Sequence, residues 1–404
     1  LSLNSVLPFV YETSIVMKWD QGMRVQLIAK PGPGMTGTSR YTTELHRALQ
    51  GAGADVYLAF PARAPVPKPV QSGLKHLGLD LQTFFASYPL RVPPAAAGVY
   101  HVTAQTLATL LLFQRFPGPV MVTVLDIIPY LVRHSKDLNT SKHVFDRFFY
   151  QLALAGLLRA DALIAISDYT KRTLVEALRL PAERIHVVPL AVNHECFRPA
   201  AVPDAFRARY GLGQGYQYLL YVGSDDPRKN FRTLIRAFAQ LHKDHPDIRL
   251  LKVGAETIAS ERRKTASLIG DLSLQERVMF FDAVPDEVLP LFYNAAEIFV
   301  LPSLYEGFGL PVLEAMACGT PVVCSNAASL PEVVGDAALL ADPRSVEGFA
   351  EAIAALMGDE ALRQSQRHKG LARAAQFTWR RVAEETARVY STTLEERART
   401  QNGG

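Results

Sequence analysis

Short apolar runs of strand length alternate with amphipathic runs of helix length along this chain, and the pattern restarts past its midpoint. In the first half, Arg24–Ala29, Val56–Phe60, Val120–Leu125, Ala162–Ile166 and Ile185–Pro189 read as strands. Ser39–Gln50, Ser141–Leu158 and Asp168–Leu178 read as helices between them. From Tyr218 on, Tyr218–Gly223, Arg249–Val253, Val278–Phe281, Ile298–Leu301 and Thr320–Cys324 alternate with Asn230–His242, Asp286–Asn294, Pro311–Cys318 and Val346–Met357. Strands apolar on both faces need a layer of helices on each side, which means parallel sheets in an α/β fold. The expectation is two doubly wound domains, 23–200 and 201–377, each large enough to bury its own core. Residues 1–22 read as an extension without the basic start and apolar run of a signal peptide. Pro61–Pro94 reads as an irregular insertion and Arg198–Gly215 as the linker. Residues 378–404 hold the end of a last amphipathic helix, Phe377–Arg397, with Trp379 and Tyr390.

Composition closes off other classes. Hydrophobic residues at 49% and charged residues at 20% describe a globular chain, not a disordered one. Cys196, Cys318 and Cys324 cannot make a disulfide framework, and their usage points to a reducing cytoplasm. No Cys/His spacing suggests a metal site. No stretch reaches the roughly 20 apolar residues of a membrane span. Residues 1–197 carry 19 Lys/Arg against 13 Asp/Glu, while residues 198–404 carry 24 against 26. A basic first half suits an anionic acceptor or peripheral contact with the inner face of the cell membrane, unless the imbalance is chance. Nothing resembles a nucleic-acid footprint.

In open α/β sheets ligands bind in the loops beyond the carboxyl ends of the strands. After the first strand comes Gly32-Pro33-Gly34-Met35-Thr36-Gly37, formally G-x-G-x-x-G. A dinucleotide site also needs a carboxylate at the end of the second strand. Only Asp55 is near, and it stands at the strand's beginning. The run from Gly37 to Ser39 instead offers a helix start to an anion, or serves only as a tight turn.

The second half is more specific. Ile298–Leu301 runs into a loop with Glu306, Gly307, Phe308 and Gly309, and then into a helix with Pro311 in its first turn and Gly319 after its last. This predicts exposed amides at Gly307–Leu310, with carboxylates Glu306 and Glu314 on either side, able to accept bonds from sugar hydroxyls. After Tyr218–Gly223, Arg228 and Lys229 precede a helix N-terminus, where cations oppose the dipole unless an anion joins them. A diphosphate supplies that anion; Asp225 and Asp226 are the alternative.

The segments PRKN (227–230), PSLYEGFGLPVLEAMACGTPVVCSN (302–326) and LPEVVGDAALL (330–340) resemble the retaining glycosyltransferases of family 4, with the GT-B fold. The resemblance spans Met23 to about Tyr390 and is most specific over Tyr218–Asp342. It implies two Rossmann-like domains facing a cleft, with the final helix crossing back to the first domain. It implies a nucleotide-diphosphate sugar as donor, a glycan or lipid-linked glycan as acceptor, retention of configuration, and no metal or further cofactor. Arg228 and Lys229 would hold the diphosphate, Glu314 the ribose, Glu306 and Gly307–Leu310 the transferred sugar, and Asp282–Val284 the base. Gly37 joins the donor side. Thr38, Arg40, His101 and His134 are candidates for the acceptor side.

The sequence departs from the family at one position. Where the family often has Thr-x-His-Asp, this chain reads Thr123-Val124-Leu125-Asp126. Asp126 remains a catalytic candidate with Glu306, and His101 and His134 are candidate substitutes for the missing histidine. A non-catalytic sugar-nucleotide-binding protein and an NAD-dependent enzyme are the alternative readings.

Overall fold

The computed structural model describes residues 23–30, 37–61, 85–93, 95–139, 144–282 and 284–402. The expected extension 1–22, the loop glycines Gly32 and Gly34, and most of the expected insertion lie outside them. The described residues form two six-stranded sheets, all of whose pairings are parallel.

The first sheet has the order β2-β1-β3-β4-β5-β6. Its strands are β1 (Arg24–Ile28), β2 (Asp55–Ala59), β3 (Val99–Val102), β4 (Val120–Val124), β5 (Ala162–Ala165) and β6 (Ile185–Val187). The second has the order β12-β11-β10-β7-β8-β9. Its strands are β7 (Gln217–Val222), β8 (Ile248–Val253), β9 (Val278–Phe281), β10 (Ile298–Leu301), β11 (Val322–Ser325) and β12 (Leu339–Ala341). That second order is the dinucleotide-fold order read from its far edge, and the order in which strands are added to the sheet reverses between β7 and β10. In the first sheet the reversal falls between β1 and β3.

The helices used below are α1 (Gly37–Gly51), α2 (Val144–Leu157), α3 (Asp168–Leu178), α4 (Phe231–Asp244), α5 (Ala259–Asp271), α6 (Leu289–Ala295), α7 (Leu310–Cys318), α8 (Leu330–Val334), α9 (Val346–Gly358), α10 (Glu360–Ala374) and α11 (Trp379–Asn402). The alternation read from the sequence thus holds, but it omits several elements, among them β3, β12, α5, α8 and α10. β3 is only four residues long, too short to show a period. α10 is a mostly polar helix packed on α7. The segment expected as a linker contains the helix Asp204–Tyr210, anchored by buried Phe206 against Phe292.

α11 returns to the first domain and packs along α1. One buried cluster runs from Val25, Tyr41 and Leu45 through Tyr390 to the core of the second domain. A second lies under the opposite face of the first sheet, around Tyr100, Leu107, Tyr150 and Leu157.

Inside this packing sits a polar chain. His101 on β3 is fully buried. Its Nδ1 lies 2.7 Å from the Tyr390 hydroxyl on α11, and its Nε2 lies 2.7 Å from Thr123 Oγ1. Tyr41 on α1 reaches the same threonine at 2.9 Å. Burial lowers the His101 pKa from 6.5 to about 3, so the imidazole is neutral in the fold. A group depressed in this way supports folding above its unfolded pKa and loses that support as pH falls toward its folded value. Stability should therefore decline as pH is lowered from 6.5 toward 3. His101→Gln should remove that part of the slope, and Tyr390→Phe should cost about 1–3 kcal/mol at neutral pH. Urea unfolding across pH checks both, and pH slopes that coincide for wild type and His101→Gln would refute the assignment.

Candidate functional site

The reversal between β7 and β10 places the loops after these two strands side by side. In the first, Pro227–Lys229 makes a single 3-10 turn, whose cap Asp226 accepts a bond from the Arg228 amide at 3.0 Å. Asn230 follows in the left-handed region, with φ of 56°, a conformation asparagine tolerates. Its Nδ2 donates to the carbonyls of Pro302 at 2.9 Å and Pro343 at 2.6 Å. The Leu304 amide donates to the Arg228 carbonyl at 2.7 Å. These bonds fix the two loops to each other.

The charged groups then converge. Lys229 Nζ donates to Glu306 Oε1 at 2.6 Å, and Ser303 Oγ donates to the same oxygen at 2.7 Å. Arg228 approaches Glu306 Oε2 at 3.8 Å and donates to the Tyr305 carbonyl at 3.2 Å. Glu306 is buried. Burial alone would raise its pKa, but Lys229 and Arg228 outweigh burial and hold the carboxyl below its usual range. It is therefore an ionised acceptor.

The two aspartates that the sequence offered as neutralising partners separate. Asp226 pairs with Arg228 at 3.3 Å. Asp225 turns away to buried Lys252 at 3.4 Å and to Arg262 at 3.1 Å. Lys229 is thus served by Glu306, not by the adjacent acids.

The glycine turn departs from expectation in one respect. Gly307, Phe308 and Gly309 are buried, not exposed: the first domain lies over Gly307, while Phe377, Ser329 and Leu330 of the second domain cover Phe308 and Gly309. Ser167 Oγ, at the start of α3, donates to the Gly307 carbonyl at 2.7 Å, and Thr170 Oγ1 reaches it at 3.3 Å. A Cβ on Gly307 would collide with the Leu125 carbonyl and stand 3.0 Å from Asp126 Cβ. Phe308 points its ring into the core, 5.9 Å from Phe377, so only its backbone can face a ligand. Gly309, with φ of 104°, turns the chain into α7, where Leu310 is the first residue and half-buried.

Glu314, on α7, is buried between two partners. Tyr293 donates to Oε2 at 2.8 Å, and Arg40 of α1 donates to Oε1 at 2.6 Å. Burial raises its pKa, with Arg40 opposing. The other arm of Arg40 holds Asp286 at 2.9 Å. Arg40, a candidate for the acceptor side, ties the first domain to the carboxylate expected to hold a ribose. The Glu332 carboxylate, at the start of α8, accepts the amides of Asp168 at 3.0 Å and Tyr169 at 3.1 Å. It caps α3 from the opposite domain.

On the facing side, Asp126 is within the field of Arg228, Glu306 and Lys229; burial raises its pKa and Arg228 draws it back. Its Oδ1 accepts the Ile128 amide at 3.0 Å. Leu125 stands where the family often has histidine, its amide bonded to Gln105 at 3.2 Å. His101 does not replace that histidine, because both ring nitrogens are engaged in the buried chain described above. His134 is exposed in the turn after the short helix Ile128–Leu131. Gly37 is exposed at the first position of α1, with Thr38 half-buried beside it. Val284 packs beside β9 on the core of the second domain, next to Asp282, which pairs with Arg262. Asp55 pairs with Arg24 at 3.3 Å at the N-terminal end of β2, opposite the end where a dinucleotide ribose would need it. The sequence reading passed over Tyr293, Glu332, Ser167 and Thr170. Only Ser167, an N-cap serine before α3, carries a local signal.

Gly307→Ala should leave both domains folded but hold them apart. Small-angle scattering should show a larger radius of gyration with an unchanged circular dichroism spectrum. A scattering curve identical to wild type would contradict this account of the contact.

The chain matches two family models, Glycosyltransferase Family 4 over residues 35–195 and Glycosyl transferases group 1 over residues 203–373. Together they take in most of both domains. The O-antigen chain mannosyltransferase B of Escherichia coli is 37% identical over 233 residues, 57% of this chain and 60% of that protein. A serotype-specific mannosyltransferase WbdA of the same organism is 32% identical over 272 residues, 64% of this chain and 31% of that protein. The chain therefore spans less than two thirds of these relatives' length. Among solved structures, the sucrose-phosphate synthase of Thermosynechococcus elongatus superposes with a TM-score of 0.73 at 25% identity, covering 93% of this chain and all of that one. With two facing α/β domains, a returning helix and the cation pair set beside Glu306, the chain belongs to the family 4 glycosyltransferases of GT-B fold.

Proposed function

We propose that this protein transfers a hexose from a nucleotide-diphosphate sugar to a glycan or lipid-linked glycan, with retention at the anomeric carbon. The observation that carries the reading is the convergence of Arg228, Lys229 and buried Glu306 at the reversal of the second sheet, with Asp126 facing them. The mannosyltransferases among the relatives support mannose as the transferred sugar, and hence GDP-mannose ahead of UDP-hexoses.

Cleavage of the bond between the anomeric carbon and the diphosphate leaves negative charge on the departing phosphate and an oxocarbenium-like sugar. Arg228 and Lys229 stand ready for the first charge without reorganisation. Lys229 then shares its donors between Glu306 and phosphate. Two fixed cations fill the role a divalent ion has elsewhere, so the reading invokes no metal and no cofactor beyond the donor. Glu306, ionised and acceptor-only, holds sugar hydroxyls. Asp126 lies where its carboxylate favours the cationic sugar. The acceptor hydroxyl attacks on the face the phosphate leaves and passes its proton to the phosphate oxygen, which accounts for retention with Leu125 in place of histidine. Contact between the domains keeps water from the donor.

The ribose diol must share Glu314 with Arg40 on Oε1 and Tyr293 on Oε2. Arg40 thereby ties donor binding to the approach of the domains. Lys229→Ala and Glu306→Ala should each lower transfer about 100-fold or more while the fold survives. GDP should raise the melting temperature of wild type more than UDP or ADP does. Turnover near wild type in both variants would overturn the catalytic reading, and NAD as the stabilising ligand would favour the dinucleotide alternative.

A further inference from the structure

We infer that the outward face of α2 is a docking surface for an anionic lipid bilayer. α2 is apolar on both sides. Its inner face buries Tyr150, Ala153, Leu154 and Leu157 against the first domain's core. Phe145, Phe148, Leu152 and Ala155 follow one another at helical spacing on the other side, with exposed Arg147, Gln151 and, just past the helix end, Leu158 along one border. Phe145 is 58% exposed, Phe148 56% and Leu158 57%. Phe113, 52% exposed, adds a further ring from the short helix Leu110–Phe113, which packs beside α2. Single exposed apolar residues need no explanation, but a contiguous stripe with three phenylalanines does.

The surroundings decide the occupant. Exposed Arg115 follows Phe113, exposed Arg159 follows Leu158, and Arg184 is held at the same end by the Leu158 and Ala160 carbonyls. Exposed Glu183 beside Arg184 offsets one of these charges, but the other acids near this face are engaged elsewhere. Asp146 lies toward Tyr88. Asp161 accepts the Val120 amide at 2.7 Å and pairs with Arg397. The rim is therefore basic. A second copy is the poorer partner for two reasons. A helix of 14 residues offers a stripe about 21 Å long, or roughly 200 Å², against about 800 Å² per partner in a stable interface. Two basic rims would also repel. A bilayer has no minimum area: aromatic rings enter the headgroup boundary while arginines meet anionic lipid. Among the described residues no helix is long and apolar enough to cross a membrane, so contact through this face would be peripheral.

The test is flotation of the full chain with vesicles of phosphatidylglycerol and phosphatidylcholine, compared with phosphatidylcholine alone. The wild type should float with the anionic vesicles, less so at high salt, and hardly at all with the neutral ones. Phe145→Ser/Phe148→Ser should lower the bound fraction about tenfold or more and retain the nucleotide-induced rise in melting temperature. Equal flotation of wild type and double variant, or no flotation of wild type, overturns the proposal. So does a dimer seen by light scattering that the double variant abolishes. None of these readouts depends on sugar transfer, so failure here leaves the catalytic reading standing, and the reverse holds too.

Discussion

A buried carboxylate cannot stay ionised without partners, and Glu306 organises much of this molecule around that requirement. Its charge is sustained by Lys229, 77 residues away in sequence, and by the adjacent Arg228. Only a sheet that places β7 beside β10 brings those residues together, and the order β12-β11-β10-β7-β8-β9 does so. The Asn230 side chain and the Arg228 carbonyl then lock the two loops before any ligand arrives. The cation pair in turn would be costly at this position without Glu306 or an anion in its place. Fold, loop geometry and charge therefore depend on one another.

The second constraint is the small residue at Gly307. It lets the carbonyl of Leu125 and the β-carbon of Asp126 come against the turn of the other domain. Ser167, Thr170 and Glu332 complete that seam with hydrogen bonds, and Arg40 closes it at the other end through Glu314 and Asp286. The polar seam is selective for one domain arrangement, while the hydrophobic continuity through α11 keeps the domains attached.

Much of this was legible in the sequence because the informative signals are local. Strand, glycine turn, proline and helix in Ile298–Gly319 follow one another within a few residues, and Pro227–Asn230 sits directly before a helix. The signals that failed are those spread across the chain. Nothing near Arg40 indicates that its partner is Glu314, since the pairing exists only when both domains are assembled. His101 looked like a candidate base because a histidine near a departure from the family pattern invites that reading. Its occupation by Tyr390 and Thr123 becomes visible only once α11 is laid across the first sheet. Likewise, the amides at Gly307–Gly309 read as exposed in the sequence, yet the other domain covers Gly307 and residues of its own domain cover the rest.

The central claim is that Arg228 and Lys229 form the diphosphate site. The most direct measurement is phosphorus NMR of GDP titrated with wild type and with Lys229→Ala. The account predicts a large displacement of the β-phosphorus resonance by wild type and its loss in the variant, with the variant still folded. A β-phosphorus displacement of equal size in both proteins would contradict it.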